Sequence, residues 1–190
     1  MKFTFEEIST PSNFLSMLRL LLALPLWFLF DYIDNPHTRL IIFAVCIFAA
    51  VTDILDGYIA RKYNQVTEFG KIIDPLADKI AVGAIIIKLF ILSEISIYYF
   101  IMILARDIFI FIGGIYVANR IGKVLPSNIL GKMTVINISL VILLIVAGIE
   151  KGSYLFLSLY YLSIVLIVVS FIAYVIRAKE FLKRKNYESV

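Results

Sequence analysis

Cysteine, histidine and tryptophan each occur once in 190 residues, and proline occurs five times. The lone Cys46 excludes an internal disulfide and, lying in an apolar stretch, is assigned to packing. His37 falls in a short loop and is expected to be inert. No segment repeats at solenoid length, none is of low complexity, and no joining segment is long enough for a second domain. Charged residues are 17% of the chain against 62% hydrophobic, a balance that excludes an ordinary soluble domain. The basic residues flank apolar stretches without forming an interleaved basic–aromatic surface, so no nucleic-acid partner is expected. An acidic stretch precedes the first apolar run and no small-residue cleavage site follows it, which argues against a cleaved signal peptide.

What the chain does contain is length in apolar residues. Stretches of about 20, enough to cross a hydrocarbon core at 1.5 Å per residue, occur six times, at roughly 13–33, 38–61, 71–93, 96–119, 128–149 and 153–177. The expected fold is an all-α integral membrane protein with six transmembrane helices in one bundle. Residues 1–12 would be a juxtamembrane segment, 13–177 the six-helix domain and 178–190 a basic tail. Phe3, Phe5 and Ile8, with Glu6 and Glu7 between them, suit a short interfacial helix or a frayed polar terminus. Pro11 precedes the first span, Pro25 lies within it, and Pro36 and Pro126 fall in loops. Pro75 lies early in the third span, where a first-turn position would tolerate it.

Lysine and arginine in the short loops set the orientation. With a cytoplasmic N-terminus, that side receives Lys2, Arg61, Lys62, Lys71, Arg120, Lys123, Lys132, Arg177, Lys179, Lys183, Arg184 and Lys185. The other side receives only Arg39 and Lys151, beside Asp31, Asp34, Glu94 and Glu150. Both termini are therefore expected in the cytoplasm, with the protein multi-pass in the cell's cytoplasmic membrane. The basic tail would also attract anionic membrane lipids, at about 1 kcal/mol per charge.

Against this background the stretch Asp53-x2-Asp56-Gly57-x2-Ala60-Arg61-x8-Gly70-x3-Asp74-x3-Asp78 is an electrostatic anomaly. A carboxylate near the bilayer core costs about 2.5–3.5 kcal/mol even on the mildest scales. Helical spacing puts Asp53, Asp56, Gly57 and Ala60 on one stripe at the end of the second span, and Gly70, Asp74 and Asp78 on one stripe at the start of the third. The intervening loop lets the two stripes face each other. Converging carboxylates repel unless cations neutralise them. Hard divalent ions suit an all-oxygen site and share their shell with substrate phosphates, and two such ions clamp the oxygens of a phosphoryl displacement. Arg61 could hold a further phosphate oxygen. The chemistry favoured is metal-assisted transfer at a phosphate beside the membrane.

This spacing, matched at all eight fixed positions, resembles the signature of the CDP-alcohol phosphotransferase family, as do the length and the six spans. The resemblance implies an enzyme that transfers a phosphatidyl group from CDP-diacylglycerol, or a related CDP-lipid, to a small alcohol acceptor with release of CMP. It implies two divalent ions, Mg²⁺ or Mn²⁺, held by Asp53, Asp56, Asp74 and Asp78, with Asp78 also taking the acceptor's proton. Gly57, Ala60, Arg61, Thr67 and Gly70 would lie along the CDP donor. A homodimer is implied by the resemblance alone.

Other polar residues fall inside spans. Asn13, Ser16 and Arg19 share a helical face and resemble the P-N-x-[LI]-[ST]-x-x-R start of many family members, with Ser12 inserted after Pro11. They are a wall of the nucleotide site or, alternatively, a cap with a snorkelling arginine. Arg106 and Asp107 lie too deep to snorkel easily, so an internal pair or a bound anion is required; as neighbours about 100° apart they need not pair with each other. Leu104-Ala105-Arg106-Asp107 resembles a segment that often reads A-R-E in phosphatidylglycerophosphate synthases, with A-R-D also seen in eukaryote-like cardiolipin synthases, and Gly131-Lys132-Met133-Thr134 resembles the G-K-x-K-T of phosphatidylglycerophosphate synthases without its second lysine. Glycerol 3-phosphate is therefore the first choice of acceptor, with Arg106, Arg120, Lys123 and Lys132 as candidates for its phosphate. Phosphatidylglycerol, serine and inositol phosphate are the alternatives within the family, and a cation transporter is the alternative outside it. Lys79 either neutralises the aspartates or points away, and Lys88 is expected to snorkel or bind an internal carboxylate. Tyr98, Tyr99, Tyr160 and Tyr161 suit interfacial or packing roles, and Gly113-Gly114 suits close helix contact.

Overall fold

The computed structural model describes residues 10–62, 70–121 and 128–188, apart from the side chains of residues 11–12, 54, 56–62, 70–76, 78, 121 and 184–188. All regular structure among the described residues is helical. The order is α1 (Pro11–Leu29), a 3-10 turn (Phe30–Tyr32), α2 (Pro36–Lys62), α3 (Gly70–Ile91), α4 (Ile97–Ile121), α5 (Ile129–Val146) and α6 (Tyr154–Glu188). The expected N-terminal interfacial helix lies outside the described residues.

Among the described residues, Asn13–Tyr32, Pro36–Asp53, Ile97–Arg120, Ile129–Val146 and Tyr154–Lys183 are long and apolar enough to cross a membrane. The sixth helix, α3, has 22 residues, about 33 Å of rise, but carries Lys71, Asp74, Asp78, Lys79 and Lys88. It has the length of a span without the composition. The chain is an all-α, multi-pass membrane protein.

Helix ends show where local chemistry departs from the expected spans. Pro11 and Pro36 each open a helix, where a missing N–H costs nothing because the first turn has no internal acceptor for it. Thr10 caps α1, its hydroxyl accepting from the Asn13 N–H at 3.4 Å. Asn35 caps α2, its Oδ1 accepting from the N–H groups of His37 (2.9 Å) and Thr38 (3.4 Å). Pro36 and His37 thus belong to a helical first turn rather than to a loop. Pro75 sits one turn deeper than expected, because α3 already begins at Gly70. Nor does α6 stop at residue 177: Ala178, Lys179, Glu180, Leu182 and Lys183 are good helix formers, and the helix continues through the basic tail to Glu188.

The contacts divide the chain into two compact units, residues up to Glu94 with Val146–Gly148, and Ile95–Ile145 with Ile149–Val190. In the first, α1 packs against both α2 and α3. Its buried stripe runs Asn13, Ser16, Arg19, Leu26, Phe30 and Ile33, while Phe14, Leu21, Leu24 and Phe28 are exposed. The inner face is therefore polar at its start and apolar at its end, and the outer face is greasy throughout. That pattern suits a lipid surround, where apolar groups need no burial. Near the end of α1, buried Lys88 of α3 donates to Asp31 Oδ1 at 2.7 Å and lies 4.9 Å from the centre of the Trp27 ring. The expected internal carboxylate is thus Asp31.

In the second unit α4 packs against α6. The Tyr99 hydroxyl lies 2.8 Å from Ser163 Oγ, and its ring centre 4.8 Å from that of Tyr160. Gly113 and Gly114 make the close contact expected of them. A Cβ on either would come within 3.1 and 3.3 Å of the Tyr174 side chain. Cys46, in the first unit, is buried as a packing residue.

Two helices end on a left-handed residue. After α3, Ser93 has φ 58° and the Glu94 N–H reaches back to Leu89 O at 2.8 Å; after α5, Gly148 has φ 76° and the Ile149 N–H reaches Leu144 O at 3.0 Å. Both turns satisfy otherwise unpaired carbonyls. Only Gly148 adopts this backbone without a steric cost, and a Cβ there would also collide with Arg39 Nη1. Ser93→Gly is expected to raise stability by about 1 kcal/mol and Gly148→Ala to lower it by at least as much, read as opposite shifts in unfolding temperature in detergent. For Lys88 and Asp31, a double-mutant cycle with Lys88→Met and Asp31→Asn should return a coupling energy on the order of 1–3 kcal/mol. Additive single effects would show that the pair does not bind the helices.

Candidate functional site

The helical backbone carries the aspartate motif as its spacing requires. Residues 53, 56, 57 and 60 lie on α2 and residues 70, 74 and 78 on α3. At about 100° per residue, the four positions on α2 span an arc of about 100° and the three on α3 about 80°. Thr67 and Lys123 lie outside the described residues. So do the side chains of Asp56, Gly57, Ala60, Arg61, Gly70, Asp74 and Asp78.

Asp53 is the motif aspartate whose side chain is described. It is half-exposed, and its Oδ1 accepts from Nη1 of Arg19 at 2.9 Å. Arg19 does not snorkel outward; it is buried and turns in from α1 to reach Asp53 on α2. Asn13 and Ser16, six and three residues earlier on α1, are buried on the same face. The polar stripe of α1 therefore belongs to the interior of the unit that carries the motif. Sequence spacing identified the shared face of these three residues but not Asp53 as the partner of Arg19. An arginine and a carboxylate in separate spans carry no mark of which pairs with which.

The second group of candidates lies on α4 and α5. Arg106 is buried, and its Nη1 donates to Asp107, the neighbour with which helical geometry did not require it to pair. Flexible side chains close the 100° gap. Its Nη2 lies 3.4 Å from the carbonyl of Gly131. A Cβ on Gly131 would lie 3.4 Å from the same nitrogen, an ordinary contact. Next to it, Lys132 is exposed. Thr134, one turn on, is fully buried, its hydroxyl 2.7 Å from Leu130 O and 3.2 Å from Leu166 O. Thr134 is occupied in holding α5 to α6. Arg120 is exposed, with its guanidinium carbon 5.8 Å from the centre of the Tyr116 ring, and Lys79 is exposed on α3.

An all-α membrane protein with a carboxylate motif on two successive helices defines a narrow class. The family model described as CDP-alcohol phosphatidyltransferase matches residues 9–178, and the chain belongs to that family. Among similar proteins is a CDP-diacylglycerol–glycerol-3-phosphate 3-phosphatidyltransferase of Aquifex aeolicus, 35% identical over 172 residues, which are 87% of this chain and 93% of that one. A protein of the same name from Rickettsia bellii is 44% identical over 95 residues, 50% of this chain and 52% of the other. Another, from Bacillus subtilis, is 44% identical over 87 residues, 46% and 45% of the two chains. The match thus spans about half the length of the Rickettsia and Bacillus relatives.

Asp53→Asn removes the charge from the hydrogen bond to Arg19. It is expected to lower unfolding stability in chelator by about 1.5–3 kcal/mol, the range for a hydrogen bond to a charged group. A melting curve in EDTA that matches the unsubstituted protein would show that the pair contributes nothing.

Proposed function

We propose that this chain transfers a phosphatidyl group from CDP-diacylglycerol to glycerol 3-phosphate, releasing CMP and forming phosphatidylglycerol phosphate. The observation that carries the reading is the motif itself, eight fixed residues, five on α2 and three on α3. The names of the relatives, which agree on the acceptor, support it.

The four aspartates offer only hard oxygen donors, the set that suits Mg²⁺ or Mn²⁺. Asp53, Asp56, Asp74 and Asp78 would hold two such ions, which when bound supply Lewis-acid neutralisation of the pyrophosphate. Asp78 takes the proton from the acceptor's hydroxyl. That oxygen bonds to the phosphorus bearing the diacylglycerol, and the anhydride bond to the CMP phosphate breaks. Gly57, Ala60 and Gly70 leave room for the CDP part, and Arg61, Thr67, Asn13 and Ser16 line it. Arg106 and Lys132, with Arg120 and Lys123, provide positive charge for the acceptor's phosphate. Arg106 is the best prepared of these, because Asp107 and the Gly131 carbonyl already hold its guanidinium. Loop charge puts both termini and the motif on the cytoplasmic side, where glycerol 3-phosphate is soluble.

CMP release from CDP-diacylglycerol, measured with each alcohol in turn, tests the reading. Glycerol 3-phosphate should support turnover, EDTA should abolish it, and Asp78→Asn should bind donor without reacting. Lys132→Ala should raise KM for glycerol 3-phosphate while leaving KM for the donor near its original value. Turnover with serine or inositol phosphate instead would reassign the acceptor. No CMP with any alcohol, together with cation movement in liposomes, would overturn the enzyme assignment.

A further inference from the structure

We propose that Arg19 is a positioning residue for the aspartate motif, orienting Asp53 and thereby setting how tightly the motif holds its divalent ion. The proposal rests on the metal-dependent reading above and adds a residue that the eight-position motif does not contain. Arg19 belongs to α1, a different helix from any motif residue, and is only 5% exposed. Its Nη1 lies 2.9 Å from Asp53 Oδ1, while the Asp53 side chain itself is half-exposed. The bond therefore joins a buried anchor to an accessible carboxylate.

An arginine this near the start of a span has an easier option. It can extend along the helix and leave its head group in water. Arg19 instead turns inward, on the same face as buried Asn13 and Ser16, and meets the Asp53 carboxylate on the next helix. A carboxylate in that position has two free side-chain torsions, and a charge-assisted hydrogen bond selects among their rotamers. The bond engages Oδ1 through a single nitrogen. Carboxylates that ligate a metal are held in this way by outer partners, whose loss typically weakens metal binding about 10–100-fold.

A guanidinium near a divalent ion also repels it. Orientation and repulsion predict opposite signs when the guanidinium is removed, so the direction of the change separates them. The experiment is Mn²⁺ titration of the purified full chain in detergent without substrate, with free Mn²⁺ followed by its electron paramagnetic resonance signal. Arg19→Gln is expected to weaken Mn²⁺ binding about 10–100-fold, and Arg19→Lys, which keeps the charge but not the planar fork, to weaken it less. In the CMP-release assay the Mn²⁺ concentration for half-maximal rate should rise by a larger factor than kcat falls. A loss of fold alone would not give that split or a partial rescue by lysine. Mn²⁺ binding by Arg19→Gln that is unchanged or tighter than in the unsubstituted protein overturns the proposal. If Arg19→Gln does not fold, Arg19→Lys decides, and unchanged Mn²⁺ affinity in that variant has the same consequence. If the unsubstituted protein binds no Mn²⁺ and reacts equally well in EDTA, the metal reading itself falls, and the positioning role with it.

Discussion

Charge placed among apolar helices must meet opposite charge or a strong dipole close by, and the described interior obeys that constraint at each of its three buried cations. Arg19 meets Asp53, Lys88 meets Asp31, and Arg106 meets Asp107. In each pair the cation is buried and the carboxylate is half-exposed or more. The long basic side chains are the ones that can reach across a helix interface and bury their methylenes. The short carboxylates stay near the rim, where water or a ligand can share them.

In the first unit the two pairs act at different levels of α1. Arg19 and Asp31 are twelve residues apart, roughly 18 Å of helical rise. Arg19 ties the middle of α1 to α2 at Asp53, and Asp31, in the turn that follows α1, is tied to the end of α3. Between them the stripe is apolar, with Leu26 and Phe30 buried. Packing of this kind needs no hydrophobic driving force, which lipid would not supply. It relies on shape, on small residues and on a few polar ties. The second unit uses the same means, with Gly113 and Gly114 admitting Tyr174, Tyr99 bonded to Ser163, and Thr134 bridging to Leu166 O.

The functional consequence is a division of labour between helices. The motif stripes of α2 and α3 carry the carboxylates proposed to hold ions and move a proton. The start of α1 contributes polar groups from a third direction, and Arg19 binds one of those carboxylates directly. On α4 and α5, Arg106 is held from both sides by Asp107 and the Gly131 carbonyl.

Much of this was legible in the chain as written. Six apolar runs give six helices, because a backbone in lipid must satisfy its own hydrogen bonds. The aspartate spacing gives two helical faces, because a helix repeats every 3.6 residues. Family membership follows from the same eight residues. Local signals misled at helix ends: Pro36 and His37 read as loop residues, yet Asn35 caps them into α2, and α6 runs on past residue 177 because no breaker interrupts it. Partner choice was not legible. That Arg19 takes Asp53, Lys88 takes Asp31 and Arg106 takes its own neighbour depends on how far apart the helices sit and which rotamers fit between them. Periodicity determines which residues share a face; only the packed helices decide which charge that face meets.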